Sequence, residues 1–475
     1  MGCIACLVGI GLAKTGYLMG PVGWWLSLTG LILSFRKHRL AALFWVICFG
    51  LTLGWCRGSE YMHKLAQYED LQFQKITIIG RATEDATYGR TSQLTFNVSD
   101  IVVDDGQRLR GTIQVSGFGE RAVFQGDQME ISGKLYPGYG AEQGRLSFAQ
   151  FSLTDRKPSF VANVRRKFAA GMQSTVPEPL ASFGMGLLIG QRANLPEGVK
   201  KDLRRVGLTH IIAVSGYNLT VILMASQRVL GKRSKRLSIL FSFGLMAVFL
   251  LLAGSSASIV RAAIVSMLSI TAGYYGRTFK PVALIMLAGA ITGMARPFYV
   301  WSDLSWYLSF LAFFGIMMVA PLLALRLKPR LRESVIIMVF LESLSAEIVT
   351  LPFILYTFGQ MSLVNLLANV LITTLVPLAM LLGVISGLAG MFASGLAGWV
   401  AWPARTLLTY MLDTAHVLAH IPHIFIENLG FTMPQMIFVY ALVASMVWLL
   451  GIKTKASGHG KITDRDKVKI RGIGT

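Results

Sequence analysis

The chain has 475 residues, 53% of them hydrophobic, and a mean hydropathy of +0.56. These values exclude an ordinary soluble domain, and because long apolar runs recur along the sequence they predict a polytopic membrane protein. Lysine and arginine number 45 against 24 acidic residues, which gives a net charge of +21. Such an excess fits either the cytoplasmic loops of a membrane protein or binding of an anionic polymer, and charge alone does not separate the two.

Three apolar segments open the chain, near residues 2–18, 22–34 and 40–57. The first lacks an early basic region and a small-residue cleavage site, so we expect a retained span and not a cleaved signal peptide. The basic loop at 35–39 is predicted to be cytoplasmic. Residues 1–57 are therefore predicted to form N-terminal membrane helices, the third of which exits to the outside.

Residues 70–157 alternate apolar and polar side chains with a period of two, which is typical of half-buried strands. The predicted strands are 75–80, 93–98, 111–115 and 128–135. Turn signals such as Gly126-Asp127 separate them. The pattern favours one extracytoplasmic domain, a small β-barrel or sandwich, whose last strand is 128–135.

Aromatic residues of this domain are candidates for stacking on the bases of a single-stranded nucleic acid. They are Phe96, Phe118, Phe124 and Tyr136. Acidic and basic residues are roughly balanced here, so a strongly basic nucleic-acid clamp is not expected. The alternative is that most of these rings lie in the hydrophobic core of the domain.

Residues 158–206 are predicted to form an amphipathic basic linker with surface helices. A basic stretch at 164–168 is expected to lie on the membrane surface. Five further cations precede Gly207, where the chain enters an apolar run: Arg192, Lys200, Lys201, Arg204 and Arg205. They would attract phosphate groups, either of a nucleic acid or of anionic lipids.

Residues 207–451 are predicted to form a helical membrane domain. Its apolar runs lie near 207–230, 237–253, 258–276, 281–295, 306–325, 334–358, 363–397, 399–421 and 434–451. Short loops assigned to the cytoplasm, such as 326–332, are rich in cations, and a basic tail follows at 452–475. The sequence thus predicts a polytopic α-helical membrane protein of about twelve spans with both termini in the cytoplasm. The run 363–397 contains Pro377 and several glycines, which favours a kinked, re-entrant or split segment.

Polar side chains inside an apolar run are costly in lipid and are expected to face protein or a water-filled cavity. His210, Ser215 and Asn218 follow Gly207 in this way. Together with the cations that precede them, these side chains predict a path for something anionic.

Three charged residues lie within other predicted spans. Arg261 is about one helical turn inside its run, so it is predicted either to contact phosphates or act as a counter-ion, or to reach the membrane interface. Glu342 and Glu347 point roughly 140° apart on a helix and do not form one site. Glu347 is predicted to be a buried polar or proton site, or to pair with Arg261.

A metal site has one set of candidates, Asp413, His416, His420 and His423. His416 and His420 share a helix face, a spacing that can hold a metal ion. No glutamate follows the first histidine, and the segment lies at a predicted outer end of a span, where histidine is readily accommodated. The sequence therefore predicts no metal.

Nucleotide-binding signatures are missing from the sequence, and Val214-Ser215-Gly216 is not a hydrolase nucleophile elbow. The prediction is a protein that is not an enzyme and has no cofactor. A polymer moved by this chain would need a motor supplied by a partner.

Ordered motifs along the chain resemble the ComEC-type competence channel family. Residues 184–216 follow the order G-LLIG-R…G-L-T-H-I-I-A-V-S-G, 256–263 resembles an S-x-V-R-A element and 308–312 an L-S-F-L-A element. The longest similarity is at 351–363, followed by 367–369. With the strand domain, the resemblance covers nearly the whole chain.

This resemblance implies a channel of the bacterial inner membrane that passes single-stranded DNA into the cytoplasm during natural transformation. It implies an OB-like domain outside the membrane, and it places Gln360 and Asn369 among the candidates for the DNA path. The implied partners are single-stranded DNA, a cytoplasmic helicase-like motor, an extracytoplasmic DNA receptor and a separate nuclease, with a homo-oligomer left open.

Two departures from the family pattern limit what is carried over. The family's SGLH reads SGYN here, so Asn218 stands where the family has histidine, and a proton role is not carried over. The metal motif of the family's metallo-β-lactamase-like domain is not found in this sequence, so a nuclease activity is not expected.

Two other functional classes stay open. One is a membrane metalloenzyme that uses the four metal candidates on a lipid or cell-wall substrate. The other is a secondary transporter of a small solute, driven through Glu342 or Glu347.

Overall fold

The computed structural model describes residues 1–15, 25, 28–29, 32, 39–83, 86–88, 93–120, 123–138, 142–156, 160–190, 195–212, 219, 223, 235–253, 257–276, 281–392 and 395–456. The chain divides into two compact units. The first consists of Met1–Arg166 and Met286–Tyr307, and the second of Lys167–Ile285 and Leu308–Thr475. The first unit thus joins the N-terminal helices and the strand domain to a segment from within the predicted membrane domain.

Two helices, α1 (Gly2–Ala13) and α2 (Arg39–Glu69), open the first unit. Their backbones are in close contact, since a Cβ at Gly9 or Gly54 would overlap backbone atoms of the partner helix. Small residues at such positions let membrane helices approach closely. The helix α2 is longer than the predicted span 40–57 because its polar end stays helical as far as the strand domain.

Seven strands follow: β1 (Lys75–Ala82), β2 (Thr87–Tyr88), β3 (Leu94–Val103), β4 (Arg108–Leu109), β5 (Ile113–Phe118), β6 (Gln128–Pro137) and β7 (Gly144–Asp155). The five longer strands pair in the order β1-β6-β7-β5-β3 and back to β1, and only the β5–β7 pair is parallel. The pairing therefore closes on itself around a core of alternating apolar residues.

The prediction that 128–135 is the last strand is wrong, because β7 follows it. Its alternation changes phase at Phe148, where the register of the β5–β7 ladder shifts between Ser116 and Gly117. A bulge of this kind inserts one extra residue and interrupts the period of two.

The remaining helices are α3 (Phe160–Thr175), α4 (Leu180–Ile189), α5 (Glu197–Arg205), α6 (Thr209–Ile212), α7 (Lys235–Ala253), α8 (Ala257–Tyr274), α9 (Pro281–Ala295), α10 (Phe298–Ser302), α11 (Leu304–Phe314), α12 (Ala320–Ala324), α13 (Pro329–Arg332), α14 (Val335–Phe358), α15 (Asn365–Ile372), α16 (Val376–Phe392), α17 (Ala397–Val400), α18 (Trp402–Ala419) and α19 (Met433–Ala456). A π-helical turn, Gly315–Val319, joins α11 to α12. Two short strands, β8 (Met361–Ser362) and β9 (Phe425–Ile426), pair with each other.

The core of the second unit surrounds α4, whose residues from Ala181 to Ile189 are all buried. Side chains of α3, α5, α6, α15, α16 and α18 complete this core. A helix that is apolar on every side is expected at such a central position.

Five helices in the described part of the chain are long and apolar enough to cross a membrane: Leu40–Glu69, Leu304–Ala324, Ile336–Phe358, Asn365–Phe392 and Met433–Ile452. All five overlap predicted spans. The prediction of a membrane protein with several apolar helices and a separate strand region is therefore confirmed. The fourth of these helices, Asn365–Phe392, contains a 3₁₀ turn at Thr373–Leu375, which lies inside the run 363–397 that was predicted to be kinked, re-entrant or split. The count of twelve stays a prediction, because 22–34 and 207–230 lie mostly outside the described residues.

Candidate functional site

The basic helix α5 is docked through its apolar side. Leu203 is buried and Val199 packs against the same core. Arg204 donates hydrogen bonds from Nε and Nη2 to Gln360 Oε1 at 3.2 and 2.7 Å, and its Nη2 lies 4.0 Å from Glu427 Oε1. Two predicted path residues, Arg204 and Gln360, are therefore partners of each other and fix α5 beside the β8–β9 pair.

The other cations of α5 are more available. Lys200 forms an ion pair with Glu197 on the same helix at 2.9 Å, while Lys201 is exposed and Arg205 is half-buried. Neither Lys201 nor Arg205 forms an ion pair with another residue that the structure describes. Among the described cations of the predicted set, these two remain available to an anionic ligand.

A line of hydrogen-bonded polar side chains lies among the apolar helices of the second unit. Asn365 donates to Glu347 of α14, and Asn369 Nδ2 donates to Asn365 Oδ1 at 3.2 Å. Thr373 Oγ1 donates to Asn369 Oδ1 at 3.0 Å, and the His210 side chain hydrogen-bonds with Asn369. We call Glu347, Asn365, Asn369, Thr373 and His210 the polar chain. It contains three of the predicted residues. Asn365 and Thr373 were not predicted, although each is four residues from Asn369 and therefore on the same helix face.

Gly207 allows the backbone to pass close to the polar chain. Its φ of +82° lies in the left-handed region, and a Cβ there would lie 2.7 Å from Asn365 Oδ1. The backbone conformation and the close contact both favour glycine at this position. The turn before α6 thereby brings His210 to α15.

Arg261 is buried on α8, with 7% of its surface exposed. Its guanidinium lies 5.5 Å from the ring centre of Phe310 and 5.3 Å from that of Phe313. The predicted pairing with Glu347 is wrong, because Glu347 hydrogen-bonds with Asn365 and the ion pairs of the described residues do not include Arg261. Cation–π contacts with two rings take the place of a carboxylate.

Three predicted residues, Arg192, Ser215 and Asn218, lie outside the described part of the chain.

Two of the four aromatic candidates of the strand domain are engaged inside the protein. Phe96 has no exposed surface and packs edge-on against Phe151, with ring centres 5.1 Å apart. Its stacking role is corrected, because a base needs an exposed ring face. Phe124 lies between two cations, with Arg156 at 5.2 Å and Arg166 at 5.1 Å from its ring centre.

The outer surface of the sheet carries the exposed rings. Phe118 is 49% exposed and Phe148, at the bulge of β7, is 76% exposed. Tyr136 is half-buried, and its ring meets the edge of the exposed Phe73 at 6.0 Å between ring centres. Phe73 and Phe148 were not among the predicted residues, and both have positive φ angles, at +62° and +52°. Such angles are outliers for bulky residues and draw attention to these positions.

The metal candidates are only partly brought together. Asp202 of α5, His416 and His420 each offer one donor atom within 4.8 Å of the others. Asp413 and His423 are exposed but do not belong to this group. Asp202 was missed because its approach to α18 depends on tertiary structure.

A family model described as Competence protein matches residues 187–453, more than half of the chain and all of the polar chain. The chain belongs to this family. The resemblance to ComEC-type proteins is thus confirmed. Among curated proteins, ComE operon protein 3 of Bacillus subtilis (strain 168) is 21% identical over 61% of this chain and 36% of its own length.

A second similar protein is the uncharacterized protein YcaI of Escherichia coli (strain K12), which is 27% identical over 29% of this chain and 21% of its own length. The chain therefore matches about a third or less of each of these relatives. No solved structure matches the chain at a significant level.

Proposed function

We propose that the protein is a channel of the bacterial inner membrane that passes single-stranded DNA into the cytoplasm during natural transformation. The observation that carries this proposal is the polar chain, because it runs through apolar helices within the segment that matches the competence family. Polar groups at such depth are retained where they contact water or a solute. The amides, the hydroxyl and the imidazole can exchange hydrogen bonds with a passing phosphate or base.

The strand domain is proposed to be an OB-like barrel that receives the strand outside the membrane. A closed ring of five strands with one parallel pair supports this, as do the exposed rings on the outer face of the sheet. Phe118, Phe148, Tyr136 and Phe73 would stack on bases without selecting a sequence. Phe124 is proposed to have a structural role, since its ring contacts the guanidinium groups of Arg156 and Arg166.

The cations of α5 are proposed to attract the strand. Lys201 and Arg205 supply positive charge that attracts phosphate groups. Arg192, Ser215 and Asn218, which lie outside the described residues, are proposed as further contacts of the strand. Arg261 is proposed to be a structural cation that fixes α8 to α11 through Phe310 and Phe313. Transport energy and strand separation would come from a helicase-like motor, a receptor and a nuclease, while this chain itself catalyses no reaction.

Deletion of the gene tests the proposal through uptake of end-labelled double-stranded DNA. Label protected outside the inner membrane and label in the cytoplasm are scored separately, and the deleted strain is complemented with the wild-type chain. We expect outer uptake to persist and cytoplasmic label to vanish. Unchanged cytoplasmic label would overturn the proposal.

The two other classes give different results in parallel assays. A secondary transporter driven through Glu342 or Glu347 shows proton-dependent flux of a small solute that is indifferent to DNA. A metalloenzyme loses turnover of a lipid or cell-wall substrate when His416 and His420 are replaced, with DNA uptake unaffected.

A further inference from the structure

We propose that His416 and His420 form a binding site for a divalent transition-metal ion of the zinc class, oriented by Asp202, and that the ion reinforces the docking of α5 on α18. The proposal is independent of the channel function. It rests on contacts between two helices of the second unit and on the chemistry of imidazole.

His416 lies on the last turn of α18, and His420, four residues later, is the residue that directly follows the helix. Their ring centres are 4.2 Å apart, and both side chains are exposed. Residues with this spacing lie on one helix face, and an i, i+4 histidine pair is a recurrent way of holding zinc. One ligand atom of each ring lies within 4.8 Å of the other, and zinc is held by imidazole nitrogens at about 2.0–2.1 Å.

Both imidazole rings use Nδ1 for a hydrogen bond, and Nε2 of each ring remains available for a metal ion. His416 Nδ1 lies 2.7 Å from Asp202 Oδ2, and His420 Nδ1 lies 2.8 Å from the backbone oxygen of His416. Both partners are acceptors, so each Nδ1 carries the proton and donates it. The Nε2 atom of each neutral ring then holds a lone pair.

This arrangement is the one found around bound metals. A ligating histidine almost always donates its second ring nitrogen to a carboxylate or a backbone carbonyl, which fixes the tautomer and increases ligand basicity. Asp202 is therefore a positioning residue, only 16% exposed on its side chain, that acts through His416. Water would complete the coordination of the ion.

A bound ion would also affect α5. It draws electron density from the His416 ring, which strengthens the hydrogen bond from Nδ1 to Asp202. Because Asp202 belongs to α5, metal binding should hold this helix, with Lys201 and Arg205, more firmly against α18. Asp413, one turn before His416, contributes negative charge close to the ion without being part of the group.

The test uses the full chain, purified in detergent without a histidine tag. Zn²⁺ affinity is measured by competition with a chromophoric chelator, and Co²⁺ is used to detect nitrogen coordination from its visible absorption. We expect one site that is lost in the double variant H416A/H420A. Each single histidine variant should weaken binding because it removes a ligand. Asp202→Asn should weaken binding by about tenfold or more, as the loss of an outer partner of a metal-bound histidine does.

His423→Ala is the matched control, because His423 is an exposed histidine of the same segment that lies outside the group. Its Zn²⁺ affinity should stay within about twofold of the wild type. Zn²⁺ should also slow amide hydrogen exchange in Glu197–Arg205, and this effect should be lost in the double variant. Equal binding by the wild type and the double variant, an equal loss in His423→Ala, or unchanged affinity in Asp202→Asn would overturn the proposal.

Discussion

The strand domain and the helices around the polar chain both enclose polar groups, but they satisfy them differently. In the strand domain the buried Asp127 accepts from Arg156 at 3.1 Å and from the Phe124 amide at 3.0 Å. Its partners include a full countercharge, so the carboxylate is structural. In the polar chain, by contrast, the partners of Glu347 and Asn369 are neutral amides, a hydroxyl and an imidazole.

The two kinds of partner indicate which region can interact with a transported molecule. A buried carboxylate with a charged partner, such as Asp127, is costly to disturb because removal of the partner leaves a buried charge without compensation. Neutral donors and acceptors can exchange one hydrogen-bond partner for another at small net cost. Substitutions in the first region should therefore change stability, and substitutions in the second should change transport.

The largest effect is expected from Asn369→Leu. Asn369 hydrogen-bonds with Asn365, Thr373 and His210, so its loss interrupts the polar chain in the middle. Cytoplasmic DNA label should fall by roughly a hundredfold, given about 0.5–1.5 kcal/mol for each hydrogen bond. Uptake of labelled DNA by cells with matched levels of the protein measures this.

Thr374→Val is the control for this change. Thr374 follows Thr373 directly, but its hydroxyl donates to the Val370 backbone oxygen at 2.8 Å and does not join the polar chain. It should leave cytoplasmic label within about twofold of the wild type. An equal loss in both variants would show that the helix, and not the polar chain, is required.

Asp127→Ala should instead reduce the stability of the strand domain by about 2–3 kcal/mol, because Arg156 and the Phe124 amide lose a charged partner. Hydrogen exchange of the strands in the full chain measures this loss. Asp105→Ala, in an exposed turn where the carboxylate accepts only from the Gln107 amide, should cost less than about 1 kcal/mol. A similar loss in both variants would contradict a structural role for the Asp127–Arg156 ion pair.

Alanine at Phe118 or Phe148 should weaken binding of single-stranded DNA by about 1–3 kcal/mol for each base that loses its stacking partner. Fluorescence anisotropy with a labelled oligonucleotide measures this affinity. Phe96→Leu is the comparison, since this buried ring should change stability and leave the affinity of the folded protein intact. Unchanged affinity in both Phe118→Ala and Phe148→Ala would remove the sheet surface from the DNA path.

The smallest effects are expected from the cations of α5. Lys201→Ala and Arg205→Ala should each reduce the slope of log affinity against log salt by about 0.7, the value for one phosphate contact on a single strand. Arg204→Ala should leave this slope unchanged and loosen the docking of α5 to Gln360. A slope that changes only in Arg204→Ala would reverse these assignments.

The strand domain could be predicted largely from its sequence, because a period of two reports directly which side chains are buried. The same pattern places Phe96 in phase with the buried Leu94 and Val98, so its burial was readable. The strand β7 was missed because the bulge at Phe148 shifts the phase. Phe73 and Phe148 were missed because exposure of an apolar ring has no periodic signal.

The helical site could be predicted only in part. Polar or charged residues in apolar runs pointed to His210 and Glu347, and the family resemblance pointed to Asn369, but neither signal tells which of these residues are in contact. The sequence itself shows that Asn365 and Asn369 are four residues apart, a spacing that places both side chains on one face of a helix. The approach of Asp202 to His416 joins residues 214 positions apart, and a local pattern does not contain it.

The most direct test of the central claim places a photo-crosslinking amino acid at His210, the exposed end of the polar chain, while a DNA strand with a bulky 5′ block is held in transit. The control carries the same probe at Leu367, a residue of α15 that is 52% exposed. A polar chain on the DNA path predicts crosslinks to the strand from position 210 and none from position 367. Crosslinks of equal yield at both positions, or none at position 210 while the blocked strand is demonstrably in transit, would contradict it.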